Sequence, residues 1–108
     1  MSNLQIIKDF PDDFTFGVAT SSYQIEGNSF GKSGLSHWDN FSKQDGRVFN
    51  NESGNIACAH VINYKDDVKL IADAGFSAYR FSFSWPRILP EGKGTINKEG
   101  ISFYDKLI

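Results

Sequence analysis

Ala78-Tyr79-Arg80-Phe81-Ser82-Phe83-Ser84 alternates without a break: Tyr79, Phe81 and Phe83 fall on one side, and Arg80, Ser82 and Ser84 fall on the other. A repeat of two is that of an extended strand, whose side chains point to opposite faces in turn. An earlier stretch, Phe14-Thr15-Phe16-Gly17-Val18-Ala19-Thr20, alternates in the same way. It sets Phe14, Phe16 and Val18 against the smaller Thr15, Gly17 and Ala19. A face of small residues suits close approach by something packed against it, such as side chains filling the inside of a barrel. Strands are therefore expected over about residues 14–20 and 78–84.

Each strand precedes a helical pattern. From about residue 57 to 74, Val61, Tyr64, Val68 and Ile71 recur at steps of three and four, with charged residues mostly on the other face. Gly75 follows as a left-handed C-terminal cap. The second pattern runs over about 97–108. Asn97 is placed to cap it, and Ile101, Tyr104 and Ile108 form its apolar stripe. That pattern is still running where the sequence stops.

The intervening stretch, about 25–56, has neither period. It is rich in Gly, Ser, Asn and Asp, with Phe30, Trp38, Phe41 and Phe49 interspersed. A strand-to-helix connection is usually about 2–6 residues, so one this long is expected to be a binding loop, ordered by its own aromatic side chains.

Strand, loop, helix, strand, loop, helix predicts an α/β arrangement with parallel strands and a right-handed crossover. Two strands alone leave sheet edges unpaired. The expectation is the opening of a larger fold.

Bulk properties exclude other classes. At 40% hydrophobic and 15% aromatic, the chain carries too much apolar surface for a disordered one. The net charge of -2 and the absence of any basic run argue against nucleic-acid binding and against a polybasic membrane anchor. No apolar run approaches the roughly 20 residues that span a bilayer. Met1–Asp9 lack the charged and apolar regions of a leader, so a cytoplasmic location is expected. On that reading Asn40-Phe41-Ser42 and Asn51-Glu52-Ser53 are chance matches to a glycosylation triplet. Cys58 is the single cysteine and His37 and His60 are far apart, so neither a disulfide nor a metal site is expected. Gly92-Lys93-Gly94 reads as a turn. No cofactor is implied.

The local sequences also carry a resemblance. Phe14-Thr15-Phe16-Gly17-Val18-Ala19-Thr20-Ser21-Ser22-Tyr23-Gln24-Ile25-Glu26-Gly27 closely resembles the N-terminal signature of glycoside hydrolase family 1. Ser36-His37-Trp38-Asp39-Asn40-Phe41 is similar to the next landmark of that family. Tyr79-Arg80-Phe81-Ser82-Phe83-Ser84-Trp85-Pro86-Arg87-Ile88 matches its second-strand block almost residue for residue. Pro90, Gly92, Gly94, Asn97, Gly100 and Phe103-Tyr104-Asp105 continue the match. Ala59 and Val61 depart from it, standing where many members carry an Asp and an aromatic, and His37 replaces a common Ile.

The resemblance implies the first two β/α units of a TIM (β/α)₈ barrel, a fold that needs about 250 residues. It implies a β-glucosidase-type activity that cleaves β-linked glucosides with retention, using two carboxyl groups about 5–5.5 Å apart. In the family both are glutamates on later strands, in Asn-Glu-Pro and Glu-Asn-Gly contexts. Neither context occurs here, so no catalytic residue is expected in this chain, both glutamates belong beyond Ile108, and the chain alone is expected to be inactive.

Two residues are carried over as site residues. The resemblance gives Gln24 the role of binding sugar hydroxyls, since an amide both donates and accepts; the alternative is a loop-capping amide. It gives Arg80 the role of holding the nucleophilic glutamate ionised; the alternative is a structural salt bridge. Glu26 reads as support for the loop, and Trp38 and Trp85 as packing. Two other functions stay open: a non-catalytic carbohydrate-binding or scaffold segment, and a 6-phospho-β-glycosidase.

Overall fold

The computed structural model describes residues 9–108; the sequence reading of Met1 to Lys8 as lacking a leader lies outside them. Strands β1 (Gly17–Ala19) and β2 (Ala78–Arg80) pair in parallel, Gly17 with Ala78, Val18 with Tyr79 and Ala19 with Arg80. One further bond extends the ladder at each end: Ser77 N–H donates to the Phe16 carbonyl at 3.1 Å, and Thr20 N–H donates to the Arg80 carbonyl at 3.0 Å. Gly17 sits tightly against its neighbour. A Cβ on Gly17 would lie 2.7 Å from the Ala78 carbonyl oxygen.

Both strands are shorter than the alternation suggests. Extended chain becomes a strand only where a neighbour supplies ladder partners, and the chain leaves β1 for helix α1 (Ser22–Ile25) directly after Thr20. Phe81–Phe83 therefore lie outside the ladder. Ahead of β1, Phe10, Phe14 and Phe16 gather ring to ring, with centroids 4.5–5.1 Å apart.

The connection over 25–56 holds more regular structure than its composition announces. Helix α2 (His37–Ser42) begins at a capping box. There the Ser36 hydroxyl accepts from Asp39 N–H at 3.3 Å, while Asp39 Oδ2 accepts from Ser36 N–H at 2.6 Å. A 3₁₀ turn, Phe49–Asn51, follows. Tyr23 ties these pieces together. Its hydroxyl donates to Ser42 Oγ at 3.0 Å and accepts from Gly54 N–H at 3.1 Å, and its ring stacks on Trp38.

Helix α3 (His60–Asp73) starts three residues later than its apolar stripe suggests. The reason is backbone conformation: Ala57 and Ala59 have φ of 49° and 50°, in the left-handed region. That region costs an L-residue roughly 1–2 kcal/mol and cannot be part of a right-handed turn. Gly75, at φ 87°, follows the helix where no Cβ is present to object. After β2 come a short helix α4 (Trp85–Ile88), inside the stretch that reads as turns, and α5 (Lys98–Leu107). Asn97 caps α5 by accepting from Glu99 N–H at 3.2 Å.

The helices cover one side of the sheet. Tyr79 meets His60 of α3 edge-on at 6.5 Å, and His60 in turn meets Phe103 of α5 at 6.0 Å. Phe103 and Tyr104 are the buried apolar side chains among the described residues. Gly100 lets α5 approach α4, since a Cβ there would meet the Arg87 carbonyl oxygen at 2.2 Å. Trp85, Phe83, Leu70 and Ile62 are exposed. The radius of gyration is 17.0 Å, against about 13 Å for a compact domain of this length. Much apolar surface thus has no cover within the described residues. No described helix is long and apolar enough to cross a membrane.

Candidate functional site

Ala19 and Arg80, the last residues of their strands, are paired neighbours, so both strands end at one edge of the sheet. The chain passes from that edge into α1, and Gln24 lies on this short helix. One bond fixes how α1 leaves the sheet: Ser22 N–H donates to Ser82 Oγ at 2.9 Å, while Glu26 N–H closes the helix itself on the Ser22 carbonyl at 3.0 Å. Gln24 is exposed. It lines a cavity of about 440 Å³ together with Tyr23, Trp38, Phe41, Glu52 and Ala57.

Arg80 is exposed as well, and among the described residues no carboxylate pairs with it. Its neighbour Tyr79 is on the helix-covered side. Alternation along the strand therefore puts Arg80 on the opposite, uncovered side with Ala78 and Gly17. The two residues singled out from the sequence thus share the carboxyl edge of the sheet, and neither is enclosed.

The enclosed cation is Arg87. Its side chain is 0% exposed, and each of its three nitrogens donates one hydrogen bond to the first β/α unit. Nε donates to Glu26 Oε2 at 2.8 Å, Nη1 to the Phe30 carbonyl at 2.7 Å and Nη2 to the Gly27 carbonyl at 3.1 Å. The other Glu26 oxygen accepts from the Tyr104 hydroxyl at 2.7 Å, which itself accepts from Ser84 N–H at 2.7 Å. Burial raises the Tyr104 pKa above the ordinary phenol value, and donation to the Glu26 carboxylate adds to the rise. Glu26 does support the loop, through a partner that the sequence did not single out. An arginine beside Trp and Pro gives no local signal of burial; only the fold brings Glu26 to it.

Asp39 is the second buried carboxylate. Burial works to raise its pKa, but N–H and O–H donors from Ser36, the Asn28 amide at 2.7 Å and the charge of Lys43 outweigh it. Its pKa is held below the ordinary value. The Ser-x-x-Asp spacing at Ser36–Asp39 was a legible helix-start signal. Trp38 and Trp85 are 49% and 63% exposed, so their packing role is only partial here; the Trp85 indole N–H donates to the Gly92 carbonyl at 2.9 Å.

Among the described residues no three of His, Cys, Asp and Glu converge, and Cys58 is exposed. His60 is buried, with Nδ1 2.6 Å from Asp67 Oδ2 and its ring between Tyr79 and Phe103. Glu99 pairs with Lys32 at 2.8 Å.

Comparison with known proteins matches this geometry to a family. Residues 6–108 match the model of glycosyl hydrolase family 1. Over 103 residues the chain is 48% identical to beta-glucosidase A of Thermotoga maritima, covering 94% of this chain and 23% of that protein. Over 102 residues it is 54% identical to beta-glucosidase 42 of Arabidopsis thaliana, covering 93% of this chain and 21% of that protein. The solved Thermotoga maritima beta-glucosidase, in complex with a methoxycarbonyl-substituted glucoimidazole, superposes with a TM-score of 0.85 at 48% identity. That match covers 91% of this chain and 23% of the solved one. The chain thus spans under a quarter of the length of these relatives, and its two parallel β/α units are the opening of their TIM barrel. A match over nearly all of its length, in sequence and in structure, establishes that the chain belongs to glycosyl hydrolase family 1.

Proposed function

We propose that this chain contributes part of the sugar pocket of a retaining β-glucosidase-type hydrolase. In this reading both catalytic glutamates come from polypeptide outside the sequence. Gln24 uses its amide to donate to one sugar hydroxyl and accept from a neighbour. Arg80 faces the nucleophilic glutamate and keeps it ionised, because a nearby cation favours the charged carboxylate. The glutamate then attacks the anomeric carbon while the second glutamate protonates the departing glycosidic oxygen. A water deprotonated by that second glutamate cleaves the glycosyl–glutamate bond, releasing the sugar with its configuration retained.

The observation that carries the reading is the placement of Gln24 and Arg80 at the carboxyl edge of two parallel strands, with Arg80 on the side away from the helices. That edge is where TIM-barrel enzymes place their chemistry. The exposure of Arg80 supports the reading too, since a cation meant for a carboxylate on a later strand lacks that partner here. The complex of the Thermotoga maritima beta-glucosidase with a substituted glucoimidazole supports a glucoside as substrate.

The test is to place this chain in frame ahead of the remainder of the Thermotoga maritima beta-glucosidase, in place of its own first segment. The completed barrel should hydrolyse an aryl β-glucoside. Gln24→Ala should lower kcat/KM by about a hundredfold, the loss expected when two hydrogen bonds that tighten in the transition state are removed. A folded hybrid with undiminished activity after Gln24→Ala would overturn the assignment.

A further inference from the structure

Helix α1 is four residues long, too short to hold its own position, yet it carries Gln24. Within the first β/α unit Tyr23 of α1 is tied to Ser42 and Gly54, and both ends of the helix are also held by the second unit. At the leading end, Ser22 N–H, which has no partner within the helix, donates to Ser82 Oγ at 2.9 Å. At the trailing end, the cap residue Glu26 is held by Arg87 Nε at 2.8 Å and by the Tyr104 hydroxyl at 2.7 Å. Arg87 Nη2 also takes the Gly27 carbonyl at 3.1 Å. These two attachments bracket Gln24.

The geometry points to Ser82 and Arg87 as positioning residues: they form a two-point clamp that sets the direction of the Gln24 amide. The inference rests on the sugar-binding reading of Gln24 and adds how that amide is aimed. The two attachments differ in kind. Ser82 offers one neutral acceptor that a small substitution removes without opening a void. Arg87 offers a buried, forked cation whose donors meet one carboxylate oxygen and two carbonyls, a set that a lysine ammonium cannot reproduce. Direction matters because a misplacement of about 1 Å at a substrate-positioning group can cost up to a hundredfold in rate.

The experiment uses the barrel-completed hybrid in two arms. In the first, amide hydrogen exchange over residues 22–27 is compared between the parent, Ser82→Ala and Arg87→Lys. Exchange there should accelerate by about tenfold or more as the local opening free energy falls, while α3 is unchanged in Ser82→Ala. Unchanged exchange over 22–27 in Ser82→Ala would overturn the clamp, whatever Gln24 binds. In the second arm, kcat/KM on an aryl β-glucoside is measured for Ser82→Ala, Ser82→Thr, Gln24→Ala and the Ser82→Ala/Gln24→Ala pair. Ser82→Ala should lose about tenfold, Ser82→Thr should retain activity through its hydroxyl, and the loss should shrink below about twofold in the Gln24→Ala background. An equal loss in both backgrounds would refute action through Gln24. Accelerated exchange with an inert Gln24→Ala would keep the clamp and reject the sugar-binding reading.

Discussion

Arg87 and Glu26, 61 positions apart in sequence, meet at 2.8 Å with side chains 0% and 3% exposed. The pair joins the segment after β1 to the segment after β2 beyond the reach of the short strand ladder. Its fork also reaches two loop carbonyls, so each of its three nitrogens has a hydrogen-bond partner in the interior.

Removing one half of that pair strands the other. Glu26→Gln leaves a buried guanidinium without its counter-charge, and the expected cost in the barrel-completed hybrid is about 3–5 kcal/mol. Denaturant unfolding at neutral pH reads it directly. A loss below about 1 kcal/mol would show that the two charges are solvated despite their burial.

Acid should act through Asp39. Its folded-state pKa lies below the ordinary carboxylate value, so its contribution is complete above the unfolded value of about 3.9 and disappears as pH falls through the folded one. Asp39→Asn should therefore destabilise by roughly 1–2 kcal/mol at pH 7 through the weakened capping box, and by progressively less below pH 4. Unfolding curves of both proteins at pH 7 and pH 3 test this. A difference that stays constant with pH would contradict it.

The start of α3 offers a stabilising change. Ala59 occupies its N-cap at φ 50° and makes no side-chain cap hydrogen bond. Ala59→Asn supplies a residue that tolerates the left-handed region, and should raise stability by up to about 1 kcal/mol. An unchanged or lowered denaturation midpoint would show that the local backbone relaxes at no cost.

The 108-residue chain on its own should neither turn over an aryl β-glucoside nor remain monodisperse. Exposed Trp85, Phe83, Leu70 and Ile62 leave apolar surface open to self-association. Sedimentation at rising concentration should show growing species. A cooperative thermal transition from a demonstrated monomer at micromolar concentration would contradict the expectation.

Several features were legible in the residues. The alternation at 78–84 located β2 and that at 14–20 located β1, where Gly17 leaves no room for a Cβ beside Ala78. Asn97 and Gly75 were readable as local punctuation because caps depend on adjacent backbone. Helix α2 was hidden among glycines and polar residues, although its capping box was present in the sequence. The late start of α3 could not be read, since nothing in Ala57 or Ala59 announces a positive φ. Arg80 was singled out as the cation in need of a partner, whereas the buried and paired cation is Arg87.

The sequence by itself determined the parallel β/α order, the family and the choice of Gln24 and Arg80, because side-chain period and motif are properties of contiguous residues. Only the tertiary structure decided which charges are withdrawn from water. Whether an arginine is enclosed depends on what folds over it, and Glu26, Gly27, Phe30 and Tyr104 reach Arg87 from segments that are distant along the chain.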